Sequence, residues 1–269
     1  MADLPKKRLI PSPPFYYTSV DYFGPFEIRV SRNKTEKRYG CLFACMVTRS
    51  VHLELAQSQS TPDFLNALRT FYNLRGKPRY LSSDNGTNFR GAEVELRQAL
   101  SARDRDPLLQ EEMLKENIMW QFQPPSAPHF GGIHEALVKS SKRALYKAMT
   151  QAQQRQRLRE FELRTLLSEV TGFLNSRPLT YVGGDPEDLQ ALIPNHFLIQ
   201  RASKNLAPIP VNQKAVNPRG SYRFVQSIVE DVWRLWQSEY LPTLLAGSKW
   251  RSQERNLCVG DVVLVVDNI

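Results

Sequence analysis

Three carboxylates stand where an ordinary turn or helix surface does not account for them. Asp84 opens "DNGTNF" at the tip of an apolar run that ends in Ser82-Ser83. A turn explains Asn85-Gly86, because glycine tolerates φ > 0, but it does not explain the aspartate. Asp21 lies within the strand-like "SVDYFG", among aromatic and β-branched neighbours, where an ionised carboxylate needs a partner. Glu135 falls in "GGIHEALVKSSKRAL", in the first turn of a helix-like segment. Brought together, three carboxylates cannot all stay ionised without a cation. Their hard oxygens suit Mg²⁺ or Mn²⁺, which prefer carboxylates and substrate phosphate oxygens. Two such ions about 3.5–4 Å apart activate an attacking oxygen and stabilise a leaving one on a phosphodiester. A calcium loop does not fit "DNGTN": it wants glycine at its sixth position and glutamate at its twelfth, and Gly86 is at the third.

The elements that must position these acids follow from periodicity and punctuation. "FYYTSVDYFG" with "FEIRV", then "YGCLFACMV", then "VHLELA" read as three neighbouring antiparallel strands, with "SRNKTEK" as a polar turn. A helix begins at Thr61, with Thr61 as its cap and Pro62 in its first turn. Phe64, Leu65, Leu68, Phe71 and Tyr72 recur at helical spacing, and Gly76 ends the helix. The short strand "RYLSS" leads to Asp84; strand, helix and strand of this length imply a crossover and a parallel pairing, hence a mixed sheet. "GAEVELRQALSAR" and "PLLQEEMLKE" read as helices, "IMWQFQ" as a strand, and "PPSAPHFGG" as loop. A long helix runs from about Ile133 to Gln154, and "FELRTLLSEVTGFLNSR" is a second, stopped by Pro178. After a linker, "YRFVQSIVEDVWRLWQSEYL" places Phe224, Val225, Ile228, Val232, Leu235 and Trp236 on one side. The closing "VGDVVLVVDNI" reads as a strand.

Composition narrows the partners. The 269 residues hold 36 Lys+Arg against 27 Asp+Glu, a net charge of +9, which favours an anionic partner, nucleic acid first. Hydrophobic residues make up 41%, enough for a packed core and against disorder. No apolar run approaches the ~18 residues of a membrane span, and "MADLPKKRLIPSPP" lacks the apolar stretch of a secretory signal, so an intracellular protein without a membrane partner is expected. Cys41, Cys45 and Cys258 form no Cys-x-x-Cys, and His52, His129, His134 and His196 show no zinc-finger pairing with them; buried, reduced thiols are expected.

The set "SVDYFGPF", "LSSDNGTNF" and "PPSAPHFGGIHEALVKSSKRAL" resembles the catalytic core of retroviral-type integrases, and is most similar to those of Bel/Pao long-terminal-repeat retrotransposons. The resemblance covers about residues 13–200. It implies an α/β, ribonuclease-H-like fold: a mixed five-stranded sheet flanked by helices, followed by a linker helix and the start of a truncated SH3-like barrel. The implied division is a basic extended arm at 1–12, the integrase core at 13–200, a linker at 201–220, and the amphipathic helix with a truncated C-terminal domain at 221–269. Carried over position by position, the catalytic and metal-holding triad is Asp21, Asp84 and Glu135, with two Mg²⁺ or Mn²⁺ ions. The spacing from Asp84 to Glu135 is longer than the retroviral pattern; the extra length falls in the charged segment Arg97 to Glu116, read as an insertion beside the core. Lys139 and Lys142 lie four and seven residues beyond Glu135, on its helix face. With Arg143 they are expected to hold the DNA backbone. Asn88 either orients a DNA or metal-bound group or caps a helix. The family also carries a zinc domain, for which nothing here supplies ligands, so a core with part of its tail is expected.

The implied activity is DNA integration by a metal-dependent polynucleotidyl transferase: water trims the element's DNA end, and the freed 3′-hydroxyl then attacks a target phosphodiester. The implied partners are element ends, target DNA and further copies of the chain, whose assembly the helix at 221–241 is expected to serve, in the nucleus and cytoplasm. Two other readings fit the same residues. One is a domesticated or truncated, catalytically inactive DNA-binding remnant; the other is a ribonuclease-H-like nuclease that cuts without joining.

Overall fold

Strand β1 (Tyr17–Arg29) shows why the sheet can carry a carboxylate on its surface. Its side chains alternate between faces, so Thr18 and Val20 are buried while Asp21 is exposed. The sequence breaks its strand signal at Gly24-Pro25, but the chain continues as one strand. Its register against β2 (Thr35–Cys45) shifts between Phe23 and Phe26, and proline, having no N–H, is accommodated at this irregularity. The computed structural model describes residues 10–83, 86, 89–95, 118–122, 142–152, 156–179, 191–202 and 221–244.

Antiparallel β1, β2 and β3 (Val51–Ala56) form one half of the sheet. Helix α1 (Thr61–Arg75) then crosses to β4 (Tyr80–Ser83), which lies parallel to β1 with Tyr17, Thr18 and Ser19 opposite Tyr80, Leu81 and Ser82. Strand β5 (Met119–Phe122) adds in parallel to β4. The order is β3-β2-β1-β4-β5, with β1 central. This is the expected ribonuclease-H-like α/β arrangement. One local expectation is corrected: Ser60, not Thr61, caps α1. Ser60 has extended backbone and its hydroxyl accepts from the Asp63 N–H at 3.3 Å, while Thr61 is already helical.

Residues 89–95 (α2) and 142–152 (α3) are helical, followed by α4 (Glu160–Asn175), α5 (Pro194–Leu198) and α6 (Ser221–Leu244). Helices cover both faces of the sheet, so β2 is buried without interruption from Gly40 to Cys45. Cys41, Phe43 and Cys45 pack with Phe64, Leu68, Phe71 and Phe89 on the α1 side. Leu42 and Ala44 pack with α3, α4 and α6 on the other. Fully burying each such Leu or Phe contributes roughly 1.5–3 kcal/mol. The apolar side of α6 is used here: Phe224, Val225, Ile228, Val232 and Trp236 are buried, and Phe173 of α4 meets Trp236 at 5.7 Å between ring centroids. This face closes the core of its own chain. No helix among the described residues is long and apolar enough to cross a membrane. The arm at 1–9, most of the linker, and the barrel start at 245–269 lie outside the described residues.

Candidate functional site

Asp21 sits opposite Leu42 on the central strand, on the face covered by α3, α4 and α6. Its carboxylate is half exposed, at 51%. The apolar setting suggested by its sequence neighbours is thus corrected, because strand alternation sends Val20 and Tyr22 to the other face. Its partner comes from far along the chain. The ammonium of Lys142, on α3, bonds Asp21 Oδ2 and donates to the Tyr22 carbonyl at 2.9 Å. It also lies 5.8 Å from the centroid of the Phe23 ring, within cation–π range. Lys142 was expected at the DNA backbone; here its side chain is only 19% exposed and faces the acid.

The register relates this acid to the second one. Ser19 lies opposite Ser82 in the parallel β1–β4 pair, and each precedes an aspartate by two residues in the sequence. The end of β4 is held firmly: the Trp120 indole N–H donates to Ser83 Oγ at 2.9 Å, and the Tyr80 hydroxyl contacts Gln121. Beyond Asn88, Phe89 is buried and stacks on Tyr22 at 5.5 Å, while Phe64 meets it edge-on at 4.8 Å. Aromatic contacts therefore clamp the chain on both sides of "DNGTN". Asp84, Asn88, Glu135 and Lys139 themselves lie outside the described residues. Among the described residues no three His, Cys, Asp or Glu side chains cluster as a metal would require.

On α3, Ala144, Leu145, Ala148, Met149 and Ala152 are buried, which turns Arg143, Tyr146 and Lys147 outward. Arg143 thus lies on an exposed face, as a DNA contact requires. Sequence reasoning passed over Lys147 and Tyr146, although "KRALYKAM" places Lys147 one helical turn beyond Arg143. It also passed over Phe23, whose role depends on a neighbouring strand. Cys41, beside Tyr22 in the sheet, is fully buried, and this burial, with the Asp21 and Glu54 charges adding, pushes its thiol well above the ordinary range.

A family of unknown function (DUF5641) matches residues 220–269. No curated protein matches the chain. Among solved structures, a chain of the simian T-cell lymphotropic virus intasome aligns at 16% identity over 77% of this chain, with a TM-score of 0.43. The present chain spans 59% of that one. The HTLV-2 integrase catalytic core domain in complex with magnesium aligns in its trimeric form at 14% identity over 64% of this chain and 91% of that one, with a TM-score of 0.38. Its dimeric form aligns at 15% identity over 64% and 93%, also at 0.38.

The donor chemistry at Asp21 suits a divalent ion. Two oxygens, Asp21 Oδ2 and the Tyr22 carbonyl, converge on one cationic centre, the Lys142 ammonium. Hard oxygens gathered around a cation are what Mg²⁺ and Mn²⁺ take.

Proposed function

We propose that this chain is the catalytic part of a DNA-integrating polynucleotidyl transferase of the retroviral type, akin to the Bel/Pao retrotransposon integrases. It would process 3′ ends and transfer them into target DNA. One observation carries the reading. A half-exposed carboxylate on the central strand already gathers a cation, and the β1–β4 register aligns the residues leading to it with those leading to Asp84. In this reading Asp21, Asp84 and Glu135 would hold Mg²⁺ or Mn²⁺, which when bound would stabilise charge on the attacking and leaving oxygens. The protein's own work is positional. Asp21 rides on the central strand of the sheet, and Phe89 and Trp120 pack against each other beside the end of β4.

Arg143, with Lys139 and Lys142, would hold phosphates and supply mostly sequence-independent, salt-sensitive affinity. Two DNA ends must meet in one assembly, so a homo-multimer is part of the proposal, as is action in the nucleus, where target DNA lies.

A strand-transfer assay tests this reading. Purified chain is incubated with a labelled duplex ending in the element's own terminal sequence and Mn²⁺ or Mg²⁺, with Glu135→Gln and Asp21→Asn alongside. Joined products from the wild type alone are expected, with DNA binding by Glu135→Gln nearly intact. Equal joining by Glu135→Gln would remove the triad assignment. Cleavage without joining would leave a nuclease, and DNA binding without either would leave a binding remnant.

A further inference from the structure

The Lys142 ammonium occupies a prepared place. Asp21 Oδ2, the Tyr22 carbonyl and the Phe23 ring surround it, and the ring itself fits only because position 40 on β2 is glycine. The lysine side chain is only 19% exposed, with a carboxylate, a carbonyl and an aromatic ring about its ammonium. Yet this carboxylate is also the one that the proposed function assigns to metal. An ammonium and a divalent cation at the same oxygen repel, so their occupancies exclude each other.

We propose that Lys142 is a positioning residue that exchanges Asp21 for a DNA phosphate when a divalent cation reaches Asp21, which couples metal binding to DNA binding. The inference rests on the reading of Asp21 as a metal ligand. The helix need not move. Ala144, Leu145, Ala148, Met149 and Ala152 anchor α3 in the core, while the four-carbon lysine stem is flexible and carries a compact, relocatable charge. Arg143, the next residue, is exposed on the same helix, where a phosphate can reach it. Without metal, Lys142 neutralises Asp21 and keeps an unpaired carboxylate from repelling DNA. With metal, the ion takes over that neutralisation and the ammonium becomes available to the backbone. Linkage makes the effect reciprocal: whatever factor the metal adds to DNA affinity, DNA must add to metal affinity.

The test uses the full chain and four variants: Lys142→Met, which keeps the apolar stem, Lys142→Arg, Asp21→Asn, and the Asp21→Asn/Lys142→Met pair. Mn²⁺ affinity is read by calorimetry, and DNA affinity by fluorescence anisotropy of a labelled duplex with Mn²⁺ or with chelator. Lys142→Met is expected to bind Mn²⁺ roughly tenfold tighter than wild type, and its DNA affinity is expected not to rise on adding Mn²⁺. Lys142→Arg restores that rise. In chelator, Asp21→Asn binds DNA more tightly than wild type because Lys142 is released, and most of the gain disappears in the double variant. That arm holds even if Lys142→Met folds poorly. Unchanged Mn²⁺ affinity in Lys142→Met, with binding lost in Asp21→Asn, would overturn the exchange and leave the metal reading standing. Wild-type chain that binds no Mn²⁺, or Asp21→Asn that binds it equally well, would remove the metal reading and the exchange with it.

Discussion

The ring of Phe23 fills the space that a side chain at position 40 would occupy: Gly40, its partner across β1 and β2, leaves the room that this ring takes. The pair thereby sets the aromatic wall against which Lys142 rests. A methyl group at position 40 must displace the ring. Gly40→Ala is expected to cost about 1–3 kcal/mol of stability, seen as a lower urea midpoint at constant slope. Adding Phe23→Leu should recover part of the loss; a double variant no better than the single one would show that the clash lies elsewhere.

Asn175, at the end of α4, works as a one-residue substitute strand. Its Oδ1 accepts from the Val51 N–H and its Nδ2 donates to the Val51 carbonyl, both at 2.8 Å. It thus satisfies backbone groups at one end of an edge strand whose residues are all buried. Asn175→Ala leaves both groups without this partner and is expected to destabilise by roughly 2–4 kcal/mol. Amide exchange at Val51 should accelerate more than exchange at Leu42 in the sheet interior, and equal acceleration at both sites would argue for global unfolding instead.

Glu54 on β3 predicts an acid-sensitive link between the sheet and α4. Burial pushes its carboxyl upward, but the His52 side chain, the Leu55 N–H and Arg164 together hold it below the ordinary value of 4.5. A carboxyl lowered on folding stabilises fully above its unfolded value and loses that contribution as pH falls through the folded one. Urea midpoints of wild type and Glu54→Gln should therefore differ most at neutral pH and converge as pH drops below 4.5. A difference that stays constant across that range would show that Glu54 contributes shape and not charge.

Arg143 and Lys147 should act on DNA through charge alone. Substituting either by alanine is expected to weaken binding about equally for all sequences and to reduce the log–log salt slope by roughly one. Lys147 projects from the exposed face of α3, so the melting temperature of its alanine variant should scarcely change. A loss confined to one sequence would instead indicate contact with a base.

Much of this protein is legible from its residues because apolar repeats encode faces. The alternation along β1 and the 3.6 period of α1 and α6 state which side of each element must be buried, and the near-continuous apolar runs of β2 and β3 state that both sides are. The motif acids could likewise be placed on their elements, and Asp21 does lie within β1. What a face meets is another matter. The stripe on α6 reads equally well as an assembly surface or as core, and only its packing on α4 decides for core. The strand break at Gly24-Pro25 is continuous because β2 supplies a partner on both sides of the register shift. Lys142 reaches Asp21 across 121 positions, and Asn175 reaches Val51 across 124. Such pairs depend on register and on the reach of a side chain between elements, which no local period records. The sequence by itself determined the strands and helices of the sheet and that Asp21 rides on one of them; the tertiary structure alone decided which cation, carbonyl and ring stand beside Asp21, because those neighbours are set by how the strands and helices come together.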